Sequence, residues 1–130
     1  MAILRRALLA FATVWAVCGL AIAVAPRWLL VTWFDQAPSP DYTYVRVCGV
    51  AAVGSAMLAL MISRRLDDVW WWSWAFVLET GATTLVTGSH ALFSDAGGTW
   101  FWWAFAAINA ALTAALLVGI ARGGTEEPIV

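Results

Sequence analysis

The 130-residue sequence has no lysine, one histidine and two cysteines, and its charged residues make up only 12% of the chain. A soluble domain carries about twice that share of charge. With 63% hydrophobic residues, a chain this short has no globular core large enough to hide its apolar surface from water. That excludes an ordinary soluble enzyme and a disordered tail. A net charge of −1 offers no attraction to a polyanion, so nucleic acid is not an expected partner. Cys18 and Cys48 lie in apolar runs without CxxC spacing, which makes them packing residues and not a zinc or redox motif. His90 stands alone; a bis-histidine haem would need a second chain, and a metal would need more ligands than His90 and Glu79 supply. Ser89 and His90 lie three turns from Glu79, too far for a catalytic triad. No catalytic residue, metal or cofactor is expected.

What is present is apolar sequence in four stretches punctuated by charge. The expected spans cover about 4–26, 42–63, 68–94 and 99–121, each reaching the roughly 20 residues that a helix needs to cross a bilayer. Runs such as LVTGSHALF do not alternate, which excludes a membrane barrel. Ala-Val-Ala is followed at once by Pro26, so the first stretch reads as a span and not as a cleaved leader. Very short connections make consecutive helices antiparallel neighbours. The expected fold is therefore all-α: a polytopic membrane protein forming an antiparallel four-helix transmembrane bundle. Arg5, Arg6, Arg64, Arg65 and Arg122 share one side, and Arg27 and Arg46 the other. That bias puts both termini in the cytoplasm, with the 95–98 loop facing outward. All basic residues being arginine suits a GC-rich bacterial genome, hence a bacterial cytoplasmic membrane. No internal repeat links the two halves, so an inverted-repeat transporter gains no support.

Tryptophans mark both boundaries. Trp28, Trp33, Trp100 and Trp103 fall at the outer face, and Trp70 and Trp71 at the inner, as an interfacial belt requires. The segment 27–35 is too apolar for a free loop and too short to span. It reads as a helix lying in the outer interface, burying Trp28, Leu29, Trp33 and Phe34 among headgroups, and PSPD ends it. The tail 123–130 reads as disordered. Small residues recur every fourth position, as Ala51-Ser55-Ala59, Thr80-Thr84-Gly88 and the two alanine rows Ala106-Ala110-Ala114 and Ala107-Ala111-Ala115. Such rows let helices approach closely in lipid. Two adjacent rows on the fourth span suggest more than one helical neighbour, with helices of this chain the preferred explanation and a helix of another chain the alternative.

Chemistry concentrates on the third span, where Glu79, Thr83, Thr87 and His90 share a face at helical spacing. Ionisable groups avoid lipid, so this face should point inward. Depth reckoning predicts an outer layer of Arg46, His90 and a tyrosine, Tyr42 or Tyr44. It predicts a middle layer of Glu79, Asn109, Thr113 and Thr13. Glu79 would either pair with Arg46 or take up a proton and hydrogen-bond as a neutral acid. Two roles stay open: a proton or ligand carboxyl with His90 as its relay, or a network that fixes helix packing.

Pro26 closing the first helix and Tyr44-x-Arg46-x-x-Gly49 opening the second resemble the small DoxX-like four-helix membrane proteins of bacteria. The likeness extends over the chain in span number and loop length. It implies a compact four-helix protein, in some cases an accessory subunit of a quinol-oxidising complex, and carries over no catalytic or cofactor residue. The expected function is an accessory or assembly subunit of a larger membrane complex, with lipid around it and a membrane protein or a second copy as partner. The alternatives are a binder or transporter of a lipid, quinone or proton-coupled solute through Glu79, and a cofactor-less subunit of a quinol-oxidising complex.

Overall fold

The computed structural model describes residues 1–94 and 99–126, and its regular structure there is helical throughout. Four long helices dominate: α1 (Ala2–Val24), α2 (Thr43–Arg64), α3 (Ser73–Phe93) and α4 (Trp100–Glu126). Ala2–Val24, Thr43–Arg64 and Trp100–Gly123 are each long and apolar enough to cross a membrane. The remaining long helix, α3, carries Glu79, His90, Ser89 and four threonines among its 21 residues, and its polarity sets it apart.

Two departures from the expected spans have local causes. The stretch 68–94 is not one helix. Arg65 O accepts both the Asp68 and Val69 amides, closing a tight turn over Leu66–Val69. A 3₁₀ turn at Trp70–Trp72 follows before α3 begins. Leu66, fully buried, pins that turn into the core. At the other end, α4 continues through Glu126, so residues 123–126 of the expected disordered tail are helical. Gly123 lies so close to Met1 that an added methyl would meet its sulfur at 3.3 Å. Residues 127–130 and the 95–98 loop lie outside the described residues.

The segment after α1 is helical, as expected, but its winding and its surroundings differ from the reading. Pro26–Trp28 forms one turn and Leu29–Trp33 continues it as a π-helix, with the Phe34 amide donating to Leu29 O at 3.3 Å. Asp35, at φ 51°, takes the left-handed conformation that aspartate tolerates, and stops it. Phe34 is not sunk among headgroups. It is 7% exposed and packs its ring edgewise against Phe101, Trp102 and Phe105 of α4. The Trp102 indole donates to Phe34 O at 3.2 Å, which ties the segment to the start of α4. Aromatic edge-to-face contacts hold where lipid gives helices no hydrophobic reason to associate.

α1 packs along α2 and also against α4, and α3 packs on α4, while α2 and α3 barely meet. Gly19 and Gly49 bring the first two backbones together: a methyl added at Gly49 would lie 2.6 Å from the Ala23 nitrogen. The apolar core gathers at one end, where Leu4, Leu8 and Phe11 meet Ile62, Phe76 and Leu116. The alanine rows of α4 behave differently from a packed seam. Ala106 is buried, but Ala107, Ala110, Ala111 and Ala114 are exposed. Asn109, Leu112, Leu116 and Gly119 face the other helices instead.

Candidate functional site

α3 is a helix of hydroxyls turned back on itself. Thr80, Thr83, Thr84 and Thr87 each donate to the carbonyl four residues earlier, at 2.7, 2.7, 2.8 and 2.7 Å. Threonine does this readily within a helix, and in lipid it leaves no donor unmet. One hydroxyl reaches further. Thr113 Oγ1 of α4 lies 2.8 Å from Thr80 Oγ1 and 2.8 Å from the Asn109 carbonyl. Its single proton is shared between the two acceptors. Asn109 is fully buried, its amide donates to Phe105 O at 2.9 Å, and its Oδ1 has no hydrogen-bond partner.

Glu79 points elsewhere. Its Oε1 accepts the Ser55 hydroxyl at 2.9 Å, bridging α3 to α2 across the side of the molecule where those helices have least contact. The carboxyl is half-buried. The expected middle layer therefore splits in two. Thr113 and Asn109 do meet, but with Thr80 instead of Glu79. The cause is rotation: adjacent residues on a helix point about 100° apart, so Thr80 faces α4 and Glu79 faces α2. Thr13 joins neither group; it is exposed and donates to Leu9 O within its own helix.

The expected outer layer does not assemble either. Arg46 is exposed, and among the described residues its guanidinium makes no hydrogen bond or ion pair. It cannot serve Glu79, since Ser55 lies nine residues further along α2, about 13 Å away. Instead it lines a cleft with Arg27 and Tyr42. Tyr44 is exposed. His90 is also exposed, its ring centroid 4.4 Å from that of Trp102. Thr87 is buried and Thr83 half-buried on the same helix. Of the boundary tryptophans, Trp28, Trp33, Trp71, Trp100 and Trp103 are exposed, while Trp70 packs against the core.

Spacing did not reveal Ser55 as the partner of Glu79, because serine in a row of small residues reads as packing. The other unforeseen feature is a cavity of about 330 Å³ beside Phe34, lined by Val17, Cys18, Leu29, Phe101 and Phe105 among other apolar side chains. It lies at the end of the molecule away from the core, roofed by the π-helical segment. Outside the long helices, Asp41 accepts the Thr43 amide at 2.8 Å and its hydroxyl at 2.7 Å. The Thr43 amide and then its hydroxyl hold the Asp41 carboxyl below the usual aspartate range. Among the described residues no group of three or more His, Cys, Asp or Glu is arranged to hold a metal ion. No family model matches the sequence, and comparison with curated proteins and with solved structures finds no match to it.

Proposed function

We propose that the protein is a small polytopic protein of the bacterial cytoplasmic membrane that serves as an accessory or assembly subunit of a larger membrane complex. In this reading all four long helices cross the bilayer as an antiparallel bundle with both termini in the cytoplasm. Internal bonding of the α3 hydroxyls supports a crossing by that helix despite its polarity. Arg5 donating to Ser63 O at 3.1 Å supports a single arginine-rich end.

The observation that carries the subunit role is the outward face of α4, where Ala107, Ala110, Ala111 and Ala114 are all exposed. A flat alanine surface gains nothing from lipid tails but admits a second helix at close range. A photo-crosslinking side chain at Ala110 should yield a discrete protein adduct in native membranes, whereas the same group at exposed Leu20 should capture lipid only. Lipid adducts alone at both positions would refute the assignment.

A second reading, binding of a lipid or quinone tail, is favoured by the cavity beside Phe34. Its lining is wholly apolar, the chemistry that accepts a hydrocarbon chain. Retention of a quinone through purification, lost on Leu29→Trp, would support it over the subunit role.

A further inference from the structure

Arg27 and Arg46 stand apart from the arginine-rich end of the molecule. They reach one cleft of about 570 Å³ from different elements, Arg27 from the turn after α1 and Arg46 from the first turns of α2. Tyr42, Trp28, Thr32 and Pro26 line it with them, and among the described residues no carboxylate does. Neither guanidinium has a hydrogen bond or ion pair among the described residues. The Tyr42 hydroxyl accepts the Ser39 amide at 2.9 Å, which leaves its own proton to donate. The nearby Asp41 carboxylate is occupied by Thr43.

We propose that this cleft binds the phosphodiester headgroup of an anionic glycerophospholipid. Two arginines lining one cleft carry forked donors of the kind that match phosphate oxygens bidentately. Their level suits the same ligand: Arg46 projects from the end of an apolar helix, where a long cationic side chain reaches for the headgroup layer. Exposed Trp28 beside them belongs to that layer. The opposite face of the Leu29–Trp33 segment lines the apolar cavity, so headgroup and hydrocarbon environments meet across a single turn of chain. A second cleft with two arginines, Arg5 and Arg64, lacks this arrangement, because Arg5 is engaged by Ser63 O.

The proposal rests on the membrane-spanning reading, which alkaline carbonate extraction tests separately. The full chain is purified from mixed micelles of phosphatidylglycerol and phosphatidylcholine, and bound lipid is counted by native mass spectrometry. The wild type should retain phosphatidylglycerol preferentially. Arg27→Gln and Arg46→Gln should each weaken retention about tenfold, the loss of one charge-assisted contact. Arg64→Gln removes the same charge at the opposite end and should change retention less than about twofold. Circular dichroism of each variant confirms that the helices persist. Equal loss from Arg64→Gln would reduce the effect to general surface charge and overturn the site. So would equal retention of the two lipids, or displacement of the lipid by inorganic phosphate, which would mark a soluble anion as the ligand.

Discussion

Replacing Gly49 by alanine tests the contact on which the α1–α2 pair depends. The new methyl would sit 2.6 Å from the Ala23 nitrogen, 2.7 Å from the Gly19 carbonyl oxygen and 3.1 Å from the Ala23 α-carbon. All three are backbone atoms, so no side chain can swing aside. Ordinary contact needs about 3.5 Å, and the helices would have to part by close to 1 Å along their closest approach. Overpacking of this kind costs about 1–3 kcal/mol, and alanine returns up to about 1 kcal/mol through its better helix propensity. A net loss of up to about 2 kcal/mol follows. Gly54, on the same helix, has nothing within 4 Å of its added methyl. Gly54→Ala is therefore the matched control and should be neutral or slightly stabilising. Unfolding in dodecyl maltoside by titrated dodecyl sulfate, followed by tryptophan fluorescence, reads both. Equal stability of the Gly49→Ala and Gly54→Ala proteins would refute the close approach of α1 and α2.

Thr80→Val removes the α3–α4 hydroxyl contact and should cost about 0.6 kcal/mol, the typical value for such bonds in membranes. A double-mutant cycle with Thr113→Val measures the coupling, and a value of zero would dismiss the contact. Phe34→Ala deletes a ring buried against three α4 aromatics and should lower stability by about 3 kcal/mol, read in the same titration. Asp41 should show pH linkage at the start of α2. Its carboxyl titrates lower in the folded chain than in the unfolded one, so its stabilising contribution is present above the unfolded value of about 4. That contribution is lost as pH falls through the folded value. The Thr43 amide resonance should therefore titrate with a midpoint below that of an unfolded aspartate, and Asp41→Asn should abolish the change.

Arginine and proline punctuation made the long helices legible from the sequence, since a charged or ring-locked residue marks where an apolar helix stops. α2 falls within a residue of its expected limits. The break at Trp70–Trp72 was not legible, because an apolar run has the same composition whether wound as 3₁₀ or α. Depth along the helices proved easier to read than direction around them. Thr113 was expected level with Glu79, and its partner is the adjacent Thr80, on a different face. Periodicity identifies which residues of one helix share a face, but not which neighbour that face meets. For the same reason Glu79 found Ser55, not Arg46, and four of the six alanines in the rows of α4 turned outward instead of closing a seam. The cleft of Arg27 and Arg46 joins residues separated in sequence by the whole π-helical segment and the proline run, so no local pattern announces it.

The pairing of the earliest helix with the latest has a consequence for biogenesis. Leu4 lies against Gly119, so close that a methyl there would meet its backbone at 2.8 Å, and the core around Leu4 and Leu8 is completed by Leu112 and Leu116. The flank of α1 that α4 covers can be closed only once the last helix has been made. A chain cut short before α4 would lack Leu112 and Leu116 and leave that side of Leu4 and Leu8 uncovered.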